Sequence, residues 1–256
     1  MPGRPYVLAE ATWSVVRETR YEVAVLPWGS TEAHNYHLPY ATDAFQAERI
    51  STEAARLAWE RGARVVVLPP VFFGVQTGQL DVPLCLNLNP TSQLAVLADL
   101  VDSVARTSVR KLVIVNGHGG NDFKWMIREL QPKTSLFLAL VNWYTVVDPK
   151  PHFVEPGDHA GEMETALMQH LTPELVLPLE QAGPGAARPA SIAALRAGWA
   201  WAPRPWTQVT DDTGVGNPAA ATVEKGAHFF GLVTERVASF LEELAAADPA
   251  ALYRDG

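Results

Sequence analysis

Two carboxylates and two imidazoles fall within a stretch of twelve residues near the start of the chain. Glu32, His34, His37 and Asp43 follow directly after an apolar run at 22–28. Side chains of these two types are ligands that zinc, manganese and iron accept at catalytic sites. Their spacing is not that of a helical histidine pair, so a polar surface loop is the alternative interpretation. We treat the stretch as a candidate metal-binding loop.

A glycine-rich turn, Asn-Gly-His-Gly-Gly-Asn at 116–121, follows a later apolar run and places His118 near the end of that run. Glycine lets the backbone approach a ligand closely, and such a turn before a helix can also hold phosphate. The segment lacks both the three spaced glycines of a dinucleotide site and the lysine of a P-loop. It therefore indicates either a ligand-binding turn or an ordinary turn from strand to helix.

A third polar segment, Asp-His-Ala-Gly-Glu-Met-Glu-Thr at 158–165, opens a predicted helix. Asp158 can cap that helix, and Glu162 and Glu164 can complement its dipole. These roles leave His159 unexplained, because a protonated imidazole is unfavourable at a helix N-terminus. A neutral His159 beside a metal would act as a general acid or base.

Short apolar runs alternate along the chain with longer stretches of helical periodicity, in which Asp43 is a possible N-cap. This order predicts an α/β fold, with helices on both sides of a mostly parallel central sheet in a three-layer α-β-α arrangement. Ligands bind at the carboxyl ends of the strands in such sheets, which is where the polar segments lie. The predicted strands are 22–28, 64–68, 111–116 and 134–141, and the predicted helices are 44–61, 91–107, 121–130, 162–170 and 222–244.

Composition limits the class of protein. The 256 residues are 48% hydrophobic and carry a net charge of -8, which favours one folded domain over 1–256 and argues against nucleic-acid binding. One cysteine, no signal-peptide pattern and no run of about 18–20 apolar residues predict a cytoplasmic protein outside the membrane. Residues 178–221 carry Trp199, Trp201 and Trp206, and we expect irregular but ordered structure there because three tryptophans are costly in water.

Taken together, the polar segments resemble the creatininase (creatinine amidohydrolase) family. The resemblance rests on GSTEAHNYHLPYATD, VNGHGGN, HAGEMET and GVGNPAAATVEKG, which occur in that order between about residues 22 and 230. It implies a layered α/β domain, a homo-oligomer that is often a hexamer, and a centre of two divalent metal ions. The resemblance favours zinc, with manganese and iron as alternatives. In such proteins a metal-bridging hydroxide attacks the carbonyl of a small substrate.

The resemblance also implies roles for particular residues. Glu32, His34, Asp43 and His118 match the metal ligands of the family, and Asp43 matches the carboxylate that bridges the two ions. His159 matches the histidine proposed to carry a proton to the leaving group.

One departure from the family concerns the metal ligands. Creatininase has a glutamate at the position of Gly120. We expect Glu162, one helical turn from His159, to replace it as a ligand and member of the catalytic set, with Glu164 in reserve.

Another departure concerns the substrate. Asn35-Tyr36 stands where most relatives have Gly-Pro, which argues against creatinine itself. We expect Tyr36 and Trp143 to contact the substrate and His37 to orient a metal ligand.

The expected function is therefore hydrolysis of a small, cyclic carbonyl compound, with an amide C–N bond favoured. One alternative is cleavage of a carbon–carbon bond in a cyclic keto-polyol such as a ketoinositol, whose hydroxyls would meet Asn35, Tyr36, Gln76 and Gln79. Another is a binding module without turnover, which is suggested by the absence of the family's glutamate ligand at Gly120.

Overall fold

The computed structural model of the chain describes residues 3–155 and 157–253. Within these ranges a sheet of four strands lies between two layers of helices, and each strand pairs in parallel with its neighbours. The order across the sheet is β2-β1-β3-β4. The strands are β1 (Val23–Trp28), β2 (Val65–Val67), β3 (Lys111–Asn116) and β4 (Phe137–Asn142). This architecture confirms the predicted three-layer α/β fold.

The helices follow the predicted segments closely at most boundaries. The helix expected from residue 44 begins two residues earlier, at Thr42, and its N-cap is Ala41, which makes no side-chain cap. The prediction that Asp43 caps this helix is therefore wrong, because Asp43 lies inside the first turn and its carboxylate turns towards two histidines. The helices are α1 (Trp13–Glu18), α2 (Thr42–Glu60), α3 (Pro90–Ala105), α4 (Phe123–Leu130), α5 (Glu162–Leu171), α6 (Ala193–Arg196), α7 (Trp206–Val209) and α8 (Val223–Ala246).

Both faces of the central strands are covered by apolar side chains. Along β1, Val23 and Val25 pack into the core that contains α2, α5 and α8 residues. The alternate residues Leu26 and Trp28 pack into the opposite core, with residues of α3 and α4. Burial on both faces explains why the strands are continuous apolar runs and lack alternation of polar and apolar residues.

The sheet brings two polar loops together at one edge. β1 and β3 are neighbours, and Trp28 lies opposite Asn116 at their carboxyl ends. The chain leaves these two strands in opposite directions, so their ends form the crevice where α/β folds bind ligands. Helix α2 presses against this crevice, since a Cβ on Gly29 would lie 2.3 Å from the Ala44 nitrogen. Only glycine permits this approach.

The tryptophan-bearing segment at 178–221 has little regular structure, as expected. Trp206 is buried and donates its indole N–H to the Thr213 carbonyl at 3.0 Å. Trp199 and Trp201 are 79% and 83% exposed, so the expectation that all three indoles are shielded from water is wrong for these two. Among the described residues, none of the helices combines the length and the apolar character that crossing a bilayer requires.

Candidate metal centre

Five side chains from four separate segments converge at the carboxyl ends of β1 and β3. Glu32, His34, Asp43 and His118 are buried, and Glu164 is partly buried. The Nδ1 atom of His118 lies 2.8 Å from Oε1 of Glu32 and 3.0 Å from Oδ2 of Asp43. The Nε2 atom of His34 lies 3.1 Å from the other oxygen of Asp43. Each oxygen of Asp43 therefore faces a different histidine.

These side chains form two groups of possible ligands that share Asp43. One contains Glu32, Asp43 and His118, and the other contains His34, Asp43 and Glu164. Within each group the candidate ligand atoms lie within 4.8 Å of one another. Such spacing suits ligands that each bond a divalent ion at about 2.0–2.2 Å. Glu32, His34 and His159 form a further group of the same kind.

Backbone carbonyls orient both histidines of the shared cluster. Nδ1 of His34 lies 3.0 Å from the Glu32 carbonyl oxygen, and Nε2 of His118 lies 2.9 Å from the Val75 carbonyl oxygen. A carbonyl only accepts hydrogen bonds, so these ring nitrogens carry the protons that they donate. The opposite nitrogens of both rings point towards the carboxylates, and each would bind a metal ion once the proton that it carries there is displaced.

Glu32 and Glu164 are each held by a hydrogen bond to one carboxylate oxygen. The amide of Gln79 donates to Oε2 of Glu32, and the Ala160 N–H donates to Oε2 of Glu164 at 2.5 Å. Within the described residues, Oε1 of Glu32 and Oδ2 of Asp43 are buried and receive no directed hydrogen bond. Both oxygens therefore share Nδ1 of His118 as their nearest polar neighbour, and two buried carboxylates around one imidazole are costly unless further positive charge balances them. The donor set of imidazole nitrogens and carboxylate oxygens fits zinc, manganese or iron.

The pKa values of the cluster residues also indicate that positive charge is stabilised in this site. Burial opposes charge on His34, but the adjacent Asp43 carboxylate, together with Glu164 and Glu32, outweighs burial and raises the pKa of His34 to about 10. Glu32 and Asp43 likewise overcome burial and raise the pKa of His118 well above its usual value. Burial also raises the pKa of Glu164 to about 7. Three carboxyl groups in one buried site thus favour cations between them.

His159 lies beside the cluster and holds one ring nitrogen free. Its Nε2 donates to the Ala33 carbonyl at 2.8 Å, and its Nδ1 lies 3.9 Å from Oε1 of Glu32. The ring lies against His34 with centroids 4.1 Å apart and meets Trp206 edge-on at 5.2 Å. Burial and the charge of His34 lower the pKa of His159, so its neutral form predominates at pH 7 and Nδ1 can accept a proton.

Glu162 does not take part in this cluster, which corrects the expectation that it is a ligand. Its Oε1 accepts from Lys225 at 2.5 Å, and its Oε2 accepts from the Glu155 N–H at 2.8 Å. Among the described residues it belongs to no group of possible ligands, whereas Glu164 does. Two residues span about 200° around a helix, so Glu162 and Glu164 point to nearly opposite sides of α5.

A cavity of about 850 Å³ opens over the cluster. Two expected substrate contacts are absent from its lining within the described residues. Trp143 is fully buried in the core, and the adjacent Tyr144 lines the cavity in its place. Tyr36 is largely exposed, and its hydroxyl donates to the Asp211 carbonyl at 3.2 Å. The cavity wall includes Glu32, Val75, Gln76, Gln79, His118, Asn142, Tyr144, Asp158, His159, Trp201, Arg204 and Trp206.

His37 does not orient a metal ligand through a hydrogen bond, contrary to expectation. Its Nε2 pairs at 2.9 Å with the hydroxyl of Thr165, a residue outside the groups of possible ligands among the described residues, and burial lowers the pKa of His37 to about 4.

The backbone around Gly120 leaves no space for the glutamate that the family resemblance predicts at this position. A Cβ there would lie 2.1 Å from the Val75 carbonyl oxygen and 2.5 Å from Nε2 of His118. The hydrogen bond that fixes His118 therefore leaves no room for a side chain.

Sequence reasoning missed Gln79 as a partner of Glu32 and Tyr144 as part of the cavity wall. Gln79 lies in a short 3-10 turn, Thr77–Gln79, and Tyr144 lies in another, Trp143–Thr145. Neither turn has a periodic pattern that would show which side chain points inwards.

Comparison with known proteins gives a consistent set of relatives. The family model described as "Creatininase: Creatinine amidohydrolase" matches residues 9–241. A mycofactocin precursor peptide peptidase of Mycobacterium tuberculosis (strain CDC 1551 / Oshkosh) is 29% identical over 243 residues, which cover 89% of this chain and 87% of that protein. The 3-dehydro-scyllo-inosose hydrolase of Thermotoga maritima is 25% identical over 166 residues, which cover 60% of this chain and 52% of that protein.

Solved structures share the fold. A crystal structure from Bacteroides fragilis NCTC 9343, named for creatinine amidohydrolase, superposes with a TM-score of 0.92 at 44% identity and covers 98% of this chain and 99% of its own. A structure described as "Creatininase Mn" superposes with a TM-score of 0.75 at 22% identity and covers 95% of this chain and 100% of its own. At that level of identity the second likeness concerns the fold alone.

Proposed function

The chain belongs to the creatininase family of metal-dependent amidohydrolases, and we propose that it hydrolyses a C–N bond of a small carbonyl compound at a centre of two metal ions. The observation that carries this proposal is the position of Asp43. Its two oxygens face two different histidines, and it belongs to both groups of possible ligands. A carboxylate placed in this way could hold two divalent ions at the spacing of about 3.5–4 Å found in two-metal hydrolytic sites.

In this proposal each ion has three protein ligands. Glu32, His118 and Asp43 would hold one ion, and His34, Glu164 and Asp43 would hold the other. Zinc is our first candidate, and the same donor set accommodates manganese and iron. Ions held in this way lower the pKa of a water molecule and polarise a substrate carbonyl.

The chain's own side chains would move the protons. Nδ1 of His159 faces the same space as Oε1 of Glu32 and is free to take a proton from the attacking water. It would then return that proton to the leaving nitrogen. Contacts with His34 and Trp206 hold the ring in place for both transfers.

Tyr144 is our candidate for stabilising charge on the substrate. It lines the cavity, and burial together with the negative charge of Asp43 raises its pKa to about 12. The phenol therefore keeps its proton at neutral pH and can donate to the carbonyl oxygen as that atom becomes negative.

Cleavage of a C–N bond is favoured over cleavage of a C–C bond in a keto-polyol. A polyol needs many free hydrogen-bonding groups, yet the amide of Gln76 is already bonded to the Ser30 hydroxyl and the Thr31 carbonyl. Asn35 exchanges two hydrogen bonds with the backbone of Gly183 and lies outside the cavity lining of the described chain. The relatives named as peptide peptidase and creatinine amidohydrolase also act, by name, on amide bonds.

Metal content and a substrate panel test this proposal together. Untagged protein purified without chelators is expected to hold about two divalent ions per chain by elemental mass spectrometry, and Asp43→Asn is expected to lose both. The panel compares cyclic amides, short peptides and ketoinositols, with chelator-treated protein as the control. Absence of bound metal after addition of zinc or manganese would overturn the two-ion proposal. Turnover of ketoinositols alone would overturn the assignment of the bond.

A further inference from the structure

The Glu32 carboxylate is held by a side chain that the proposed mechanism does not use. Gln79 is almost fully buried, and its amide nitrogen donates to Oε2 of Glu32. The other oxygen of Glu32, Oε1, is the one that lies 2.8 Å from Nδ1 of His118. The two oxygens of this carboxylate therefore face different surroundings.

The orientation of the Gln79 amide follows from the chemistry of its neighbours. An ionised carboxylate only accepts hydrogen bonds, so the NH₂ end of the amide must face Glu32. The amide oxygen then faces Cys85, whose sulfur lies 3.2 Å away. An amide oxygen only accepts as well, so the thiol must donate its proton to Gln79.

The surroundings of Cys85 keep its proton directed in this way. The Ala33 N–H donates to the sulfur at 3.3 Å, which occupies a lone pair and leaves the S–H for Gln79. Burial raises the pKa of the thiol, so the donor form persists at neutral pH. The sulfur thus contacts the residue that follows Glu32 in the chain and, through Gln79, the carboxylate of Glu32 itself.

The backbone around Cys85 is fixed against the same loop. The Leu86 N–H donates to the Thr31 carbonyl at 3.0 Å, and the Tyr40 hydroxyl donates to the Pro83 carbonyl at 2.8 Å. Leu84 adopts a left-handed conformation with φ of 62°, which is unfavourable for leucine, while its side chain is 79% exposed. This strained turn directs the next residue, Cys85, inwards.

We propose that Cys85 and Gln79 form a hydrogen-bonded relay that holds Glu32 so that Oε1 alone faces the metal position. Gln79 and Cys85 are positioning residues, since they act only through Glu32. With Oε2 engaged by Gln79, Glu32 binds through one oxygen, which leaves a coordination position open for water or substrate. The inference rests on the proposed metal centre and adds to it the control of ligand geometry.

Zinc affinity measured by competition with a coloured chelator tests the relay. Gln79→Met keeps the size of the side chain and removes both hydrogen bonds, and we expect it to weaken zinc binding about 10–100-fold. Cys85→Ala removes only the outer donor and is expected to weaken binding by about fivefold. Cys85→Ser restores a hydroxyl donor and is expected to stay within about twofold of the unchanged chain.

Two further readouts separate positioning from a general loss of structure. Each metal-free variant is expected to unfold in one cooperative transition, as the metal-free parent does, and Gln79→Met alone is expected to melt at a lower temperature, because it leaves Oε2 of Glu32 buried without a donor. The visible spectrum of the cobalt(II)-loaded Gln79→Met variant is expected to change, because release of Oε2 alters the coordination number. Parental zinc affinity in Gln79→Met, or equal losses in Cys85→Ala and Cys85→Ser, would overturn the relay and leave the proposed function intact. A parent chain that binds no zinc would overturn both.

Discussion

The cluster of possible metal ligands differs in construction from the outer rim of the cavity, which is formed by Trp201 and Arg204. The cluster side chains are buried or partly buried. In His34 and His118, a backbone carbonyl accepts a hydrogen bond from the ring nitrogen that points away from the carboxylates. On the rim, Trp201 is 83% exposed, and Arg204 pairs with Asp158 at 2.6 Å on the protein surface. The cluster is anchored to strand ends, whereas the rim belongs to an irregular segment.

This difference separates the chemistry of the site from its selectivity. The cluster would fix the ions and the proton carrier for any carbonyl substrate, whereas the rim meets the part of the substrate that differs from one compound to another. We therefore expect changes in the cluster to affect metal content and kcat. Changes on the rim should affect KM alone.

The largest expected effect comes from His159. His159→Gln removes the atom that accepts and returns the proton, so kcat should fall about 10²–10⁴-fold while both metal ions stay bound. Steady-state kinetics and elemental analysis check the two halves of this statement. His170→Gln, at the opposite end of α5, is the matched control and should retain full activity. A His159→Gln variant with parental kcat would show that the proton moves by another route.

A second prediction contrasts the two glutamates of α5. Glu164→Gln should reduce metal content from about two ions to one, because it removes a ligand of one group. Glu162→Gln should keep both ions and lower the free energy of unfolding by about 1–3 kcal/mol, because it weakens the partly buried hydrogen bond to Lys225. Elemental analysis and chemical denaturation distinguish them. If Glu162→Gln lost metal and Glu164→Gln did not, Glu162 would be the ligand.

These two glutamates show where sequence reasoning stopped. The strands, the order of layers and the metal-capable segments are local patterns of residue type and period, so they were predictable. The choice between Glu162 and Glu164 depends on which side of α5 faces the strand ends. That is set by tertiary packing, namely by Lys225 of α8 on one side and the Ala160 N–H on the other.

The cavity wall could not be predicted for a similar reason. A shift of one residue within a 3-10 turn exchanges Trp143 for Tyr144, and no hydrophobic period marks such a turn. The expectation of Tyr36 and Trp143 in the wall rests on residue type alone, and many kinds of side chain can fill a cavity wall. By contrast, the structure brings together the four residues that the resemblance proposes as metal ligands, Glu32, His34, Asp43 and His118.

A third prediction concerns pH. In protein stripped of metal by a chelator, burial opposes charge on His34, but the carboxylates of Asp43, Glu164 and Glu32 together raise its pKa to about 10. At pH 7 this histidine therefore carries a proton that a bound ion must displace. Zinc binding should therefore release protons below pH 10, and the apparent affinity should rise about tenfold per pH unit for each proton released. Calorimetry in buffers of different ionisation enthalpy measures this release. Binding that is independent of pH between 7 and 9 would contradict it.

The smallest effect is expected on the rim, where it gives the sharpest contrast with the cluster. Trp201 lines the cavity, whereas Trp199 is comparably exposed and lies outside the lining of the described chain. Trp201→Ala should raise KM by up to about tenfold, the equivalent of one aromatic contact, without changing kcat or metal content. Trp199→Ala should change none of these quantities, which makes it the matched control. If Trp201→Ala lowered kcat as His159→Gln does, the rim would take part in the chemistry, and the division between cluster and rim would fail.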